Sequence, residues 1–164
     1  MRLAALWAFV ILVLDQASKY IVVHLMQLDQ RLAIDVLPPF LNFRMAWNRG
    51  VNFGLFSGDT DYTRLILIAL ALVIAAWVGI WIARKPQRPL VQVSAGLLIG
   101  GALGNVIDRI AYGAVADFIN TSLPGWQNPF SFNVADIAIF VGAVGLALFT
   151  GNDPRGKKGP AKGA

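Results

Sequence analysis

The 164-residue chain has no cysteine, no glutamate and a single histidine, His24. Without Cys there is neither a disulfide framework nor a thiolate nucleophile, and one His cannot supply a His-x-x-x-His zinc site. All nine acidic residues are aspartates, so any chemistry falls to Asp carboxylates, hydroxyls, amides or bases. Charge itself is scarce, at 14% of residues where a soluble domain has roughly 25%. Hydrophobic residues make up 57% of the chain and the mean hydropathy is +0.62, a balance that calls for a non-aqueous environment. The net charge of +5 does not point to nucleic acid, because the basic residues stand at the ends of apolar runs and not on an aromatic-studded face. The length suits one domain, 1–164, with no room for a separate catalytic module.

What is present is a set of long apolar runs. A spanning helix needs about 20 mostly apolar residues, and four segments qualify: 3–23, 65–83, 90–110 and 132–150. The first resembles a signal peptide in having Arg2 ahead of an apolar run, but Asp15 and Lys19 interrupt it and no small-x-small cleavage site follows. Arg2, the Arg84, Lys85 and Arg88 cluster and the tail bases Arg155, Lys157, Lys158 and Lys162 fall on one side. The positive-inside rule makes that side cytoplasmic, with both termini. The connections from about His24 to Thr63 and from about Ala111 to Ser131 then lie outside, and the second contains no Lys or Arg. In the longer one, Phe40 to Trp47 alternates aromatic and polar positions as short strands do, and Asn48 to Phe56 reads as a turn followed by an interfacial segment. The glycines at 96, 100, 101 and 104 form a small-residue stripe suited to close helix packing. The tail 151–164, rich in Gly, Lys and Pro, is expected to be disordered.

Ionisable groups inside a bilayer cost roughly 3 kcal/mol or more each and so pair or line a cavity. Asp15 and Lys19 stand four apart on the first span and share a face. Asn105, Asp108 and Arg109 share another at i, i+3 and i+4. Asp117 follows in the second outer connection, and Asn133 and Asp136 open the fourth span. Each cluster has a plain explanation. Asp15 with Lys19, and Asp108 with Arg109, would neutralise charge at an interface; Asn133 would be an N-cap with Asp136 at N3; Asp117 would be a solvated loop acid, and His24 an interfacial residue without a chemical role. All the clusters nevertheless gather toward the outer face, where groups from three helices and a loop at one depth make a site.

These residues also carry a family resemblance. Leu14 to Lys19, Asn48 to Gly54, Gly100 to Arg109, Gly113 to Phe118 and Phe132 to Asp136 together resemble the lipoprotein signal peptidases (signal peptidase II), five blocks in order over nearly the whole chain. The resemblance implies an all-α integral membrane fold of four transmembrane helices with a small β-cradle or interfacial cap on the exported face of the bacterial inner membrane. It implies catalytic aspartates at Asp117 and Asp136 and a polar shell of Asp15, Lys19, Asn48, Asn105, Asp108, Arg109 and Asn133. The implied substrate is a diacylglyceryl-cysteine prolipoprotein, cut before the modified Cys, with membrane lipid as surroundings and a monomer as the expected state. Asn52 departs from the pattern, where a smaller residue is expected, and touches no catalytic position.

Two nearby carboxylates share one proton more readily than they both ionise, so one serves as base and the other as acid toward a water, with no metal or cofactor required. A proton- or ion-coupled carrier is the alternative, but it should place polar groups at both faces or break a helix near the midplane. The second span is uniformly apolar, and 137–149 holds no charge. A Ser/Lys peptidase fails on geometry, since Ser18 lies about 100° around the helix from Lys19 and Ser94 lies at the far end of its span.

Overall fold

In the computed structural model, residues 1–50 and 60–150 are described. The tail read as disordered and most of the interfacial segment after Asn48 lie outside them. Helix α1 (Arg2–Lys19) continues into a π-helical turn, Tyr20–Leu25, so the first apolar span covers Arg2–Leu25. Gln27 and Leu32 then take left-handed backbone conformations on either side of the single-turn α2 (Leu28–Arg31). This reverses the chain and sinks Leu28 completely from solvent. Strands β1 (Ala33–Leu37) and β2 (Leu41–Asn48) follow as an antiparallel hairpin, and β2 pairs on its other edge with β3 (Val115–Asn120), in the order β1-β2-β3. The strand expected over 40–47 is thus present, with two partners that the local sequence did not announce.

Helices α3 (Thr60–Arg84), α4 (Pro89–Tyr112) and α5 (Val134–Thr150) complete the fold. The sequence dictates the limits of α4. Pro89 sits at its first turn, where a missing N–H costs nothing, and Gly113 ends it at φ +75°, donating its N–H to the Arg109 carbonyl. α4 is the central helix, packed on α1, α3 and α5. The glycine stripe makes this possible: a Cβ on Gly100 would stand 2.5 Å from the Ala8 carbonyl oxygen of α1. Packing, the plain explanation of the stripe, accounts for it.

Among the described residues, three helices are long and apolar enough to cross a membrane: Arg2–Leu25, Tyr62–Arg84 and Pro89–Tyr112. The run expected over 132–150 is helical only from Val134, a length of 17 residues. Its start is set by a reciprocal cap, in which Asn133 Oδ1 accepts the Asp136 N–H at 2.9 Å and Asp136 Oδ2 accepts the Asn133 N–H at 3.3 Å. The sheet is held over one end of the bundle by an apolar cluster of Val22, Leu28 and Phe118, against which Ile34, Phe43, Met45 and Ile119 pack. This clamp fixes β3, and with it Asp117, relative to α1 and α4.

Candidate active site

The site is built on two coupled networks at the sheet end of the helices. The first surrounds Lys19. Its Nζ lies 2.7 Å from Asp15 Oδ2, 2.8 Å from Asp108 Oδ2 and 3.4 Å from Asn105 Oδ1. Lys19 thus hydrogen-bonds Asp15 and Asn105 and ion-pairs with Asp108, and so holds helices α1 and α4 together. The other carboxylate oxygens are also engaged: Asp15 Oδ1 accepts the Ala135 N–H at 2.9 Å, and Asp108 Oδ1 accepts Gln16 Nε2 at 3.0 Å. Asp108 Oδ2 additionally accepts the Ala116 N–H at 3.1 Å, which ties the entry of β3 to α4. Asp15 and Asp108 are both fully buried. Removing charges from water is costly unless they are paired and hydrogen-bonded, and here each of the four carboxylate oxygens has at least one partner. The i,i+4 pairing of Asp15 with Lys19 is present as expected. Asp108, however, pairs with Lys19 and not with its neighbour Arg109, because consecutive residues on a helix point about 100° apart.

The second network carries Asp117 and Asp136. Asn133 Nδ2 donates to Asp117 Oδ1 at 2.6 Å while its backbone N–H reaches Asp136 Oδ2, so one residue grips both carboxyl groups. Asn48 Nδ2, from the end of β2, donates to Asp117 Oδ2 at 3.0 Å, and Asn105 Nδ2 donates to Asp136 Oδ1 at 2.9 Å. Asn105 also accepts from Asn133 Nδ2 at 3.3 Å, which links the two networks. Asp117 is buried on β3 and is not a solvated loop acid. Its proton affinity is raised from 3.8 to about 6, chiefly by burial and next by the Asp136 charge, against hydrogen bonds from Asn48 and Asn133 and the Lys19 charge. The cap on α5 and the grip on the two carboxyl groups are therefore one structure, so the plain reading of Asn133 and Asp136 as a helix cap holds within a cluster that also contains Asp117.

Arg109 borders this pair. Its Nη1 bonds the Asn105 carbonyl at 3.3 Å, its charge lies near Asp136, Asp117 and Asp108, and its buried Nε has no acceptor. Arg109 and Asn105 stand at the polar end of a cavity of about 350 Å³, otherwise lined by apolar side chains of α3, α4 and α5 such as Leu67, Ile74 and Ile139. Among the described residues no group of His, Cys, Asp and Glu side chains is arranged to hold a metal.

Residues 7–150 match the family model described as signal peptidase (SPase) II. The chain belongs to the signal peptidase II family. It is 46% identical to a lipoprotein signal peptidase of Methylobacterium sp. (strain 4-46), over 85% of this chain and 82% of the relative. It is 44% identical to the lipoprotein signal peptidase of Methylobacterium radiotolerans, over 98% and 94%. The fold is similar to that of a bacterial membrane enzyme solved by the in meso method at 1.9 Å resolution. The TM-score is 0.75 and the identity 29%, over 92% of this chain and 93% of the other. With these neighbours the apolar helices are those of a multi-pass membrane protein.

Every polar residue that the family resemblance singled out is thus in or beside one continuous network. A further residue, Gln16, was not singled out. Its Nε2 lies within reach of Asp15 Oδ2, Asp108 Oδ1 and the Gly104 carbonyl, bridging two carboxylates that Lys19 bridges from the other side. A carboxamide in an apolar run beside an intramembrane Asp was the available signal. Gly104 belongs to the site as well, since a Cβ there would stand 2.5 Å from Asp15 Oδ2.

Proposed function

We propose that Asp117 and Asp136 are the catalytic pair of an aspartic endopeptidase that removes signal peptides from diacylglyceryl-cysteine prolipoproteins, cutting just before the modified Cys. The family and the curated relatives, both lipoprotein signal peptidases, supply the reaction. The observation that carries the residue assignment is the double grip of Asn133 on both carboxyl groups. Charge on Asp136 raises the proton affinity of Asp117, as expected of a pair that shares a proton. Asp117 is read as the member that holds the proton and Asp136 as the base. Asp136 takes a proton from a water as it attacks the scissile carbonyl; Asp117 polarises that carbonyl and a carboxyl proton then passes to the departing amine. Arg109, with a buried unpaired Nε, is placed to bind a substrate carbonyl or developing oxyanion. Asn48 and Asn133 orient Asp117, Asn105 orients Asp136, and Asp15, Lys19 and Asp108 lock the helices beneath them.

In this reading α5 also crosses the membrane, making four spans. Its 17 residues reach about 26 Å at 1.5 Å per residue, close to a hydrocarbon core of about 30 Å. The Lys/Arg distribution then puts both termini in the cytoplasm of a bacterial inner-membrane protein, with the sheet and the acidic pair toward the exported face. The single domain works as a monomer in membrane lipid. A carrier is disfavoured because the buried charged side chains, Asp15, Lys19, Asp108 and Asp117, all gather at one end of the bundle among the described residues.

The test offers purified protein two matched lipobox peptides, one diacylglyceryl-modified and one unmodified, and then repeats the assay with Asp117→Asn, Asp136→Asn and the exposed-site control Asp29→Asn. Cleavage of the modified peptide alone, lost in the first two variants with lipopeptide binding retained, is the expected result. Near-normal turnover in either pair variant refutes the assignment.

A further inference from the structure

Asp117 belongs to the sheet and Asp136 to the first turn of α5, so the separation of the two acidic groups depends on how one element is tied to the other. One tie runs through the segment before α5. Phe118 and Ile119 both donate their N–H groups to the Phe132 carbonyl, at 3.1 and 2.8 Å, the pattern of a bulge. Asn133, next in the chain, holds both carboxyl groups. Hydrogen bonds to the tips of two side chains fix where the tips meet, but not how far apart the backbones behind them stand.

A second connection reaches those backbones. Asp108 Oδ2 accepts the N–H of Ala116, the residue before Asp117, at 3.1 Å, and Asp15 Oδ1 accepts the N–H of Ala135, the residue before Asp136, at 2.9 Å. The two accepting carboxylates are drawn together twice. Lys19 Nζ lies 2.7 Å from Asp15 Oδ2 and 2.8 Å from Asp108 Oδ2, and Gln16 Nε2 donates to Asp15 Oδ2 at 3.1 Å and to Asp108 Oδ1 at 3.0 Å. An unbroken series of polar contacts thus runs from the backbone beside one acidic group to the backbone beside the other. Ala116, Asp108, Lys19, Asp15 and Ala135 are all buried, so water does not compete for these contacts. A single carboxylate would balance the Lys19 charge. The structure has two, and each also accepts one of the two backbone N–H groups.

We propose that Asp15, Gln16, Lys19 and Asp108 form a strut that sets the separation of Asp117 and Asp136 and acts on the chemical step of the peptidase through the N–H groups of Ala116 and Ala135. The inference rests on the proposed catalytic pair and deepens it. The four are positioning residues, since they act through other groups. Two carboxyl groups that pass a proton through one water tolerate little error in spacing, and a misplacement of about 1 Å costs about 10²-fold in rate. Among the described residues, the side-chain hydrogen bonds of Asp15 and Gln16 go to each other, to Lys19, to Asp108, to the Gly104 carbonyl and to the Ala135 N–H. Neither side chain bonds to the catalytic carboxyl groups, so loosening the strut lowers kcat and leaves lipopeptide affinity as it was.

The experiment uses the full-length enzyme in detergent with a diacylglyceryl lipobox peptide, and measures kcat per lipopeptide-binding site, so that a lower folded fraction does not count, together with KM. Gln16→Met keeps the length of a half-buried, uncharged side chain and removes only its donor. It should lower kcat about tenfold, the loss for a shift of about half an ångström on the same scale, with KM unchanged. Asp15→Asn keeps an acceptor for the Ala135 N–H but turns an NH2 group toward both Lys19 Nζ and Gln16 Nε2, which opens both bridges, and should lower kcat about 10²-fold. The double variant decides between a strut and separate local effects. With both bridges already open, Gln16→Met should cost nothing further in the Asp15→Asn background, whereas independent effects would multiply to about 10³-fold. An unchanged kcat in Gln16→Met, a loss carried by KM, or a multiplied loss in the double variant overturns the strut while leaving the reaction standing. Near-normal turnover in Asp117→Asn or Asp136→Asn, measured alongside, overturns the catalytic pair itself.

Discussion

Replacing Asp117 by Asn should change how stability depends on pH, and the size of the change follows from the site. Asp117 carries a folded-state proton affinity of about 6 against 3.8 for an ordinary Asp. A group whose folded pKa is raised contributes stability that is fully present below the unfolded value and lost as pH rises through the folded one. With these two values the loss between about pH 4.5 and about pH 7.5 comes to about 2 kcal/mol. Asn does not titrate, so Asp117→Asn lacks this loss. Its stability relative to the unaltered protein should climb by about 2 kcal/mol over that range. A fixed offset is expected too, since Asn48 and Asn133 both donate to the carboxylate and one of them would face an amide hydrogen, but that offset is independent of pH. Equilibrium unfolding of the two proteins in mixed micelles across a pH series measures the difference directly. Parallel stability curves would refute the reasoning. Asp136→Asn gives an internal check: it removes the second-largest cause of the shift, so the Asp117 transition should move to lower pH while remaining present.

Lys19→Ala strips the cation paired with both Asp15 and Asp108 and should destabilise by about 3–5 kcal/mol. Adding Asp15→Asn should restore only part of that, because Asp108 stays unpaired, and full restoration in thermal unfolding would contradict the three-way bridge. Gly104→Ala forces a methyl against Asp15 Oδ2 and should cost about 1–3 kcal/mol; an unaltered melting temperature would show that the helices yield there at no cost. For orientation, Cys introduced at Pro124 should react with an impermeant reagent added outside the cell and Cys at Gln87 should not, and the reverse pattern would place the acidic pair on the wrong side for an exported substrate.

The helices were legible because the bilayer demands long uninterrupted apolar runs, and the spans read from 65–83 and 90–110 lie within α3 and α4. The pairing of Asp15 with Lys19 was legible because both lie on one helix. The partnership of Lys19 with Asp108 was not, since it depends on how α1 and α4 cross, which spacing along one chain does not encode. β3 escaped notice for a different reason. A half-buried strand alternates polar and apolar, but Val115–Asn120 is covered on both faces, by the acidic pair and by the Phe118 cluster, and its bulge breaks the period. The fourth apolar run was visible, while its true start at Val134 was set by the cap geometry of Asn133.

The cap on α5 also has a consequence for biosynthesis. Asn133 orders Asp117 and Asp136 only when α5 has formed and docked on α4, since the same atoms that start the helix hold the carboxyl groups. α5 is the last of the described helices to leave the ribosome. A chain that has inserted α1, α3 and α4 therefore carries Asp117 without Asp136 and without the Asn133 brace. If Asp117 and Asp136 are the catalytic pair proposed above, a half-made molecule lying among nascent membrane proteins is inert toward them until α5 docks.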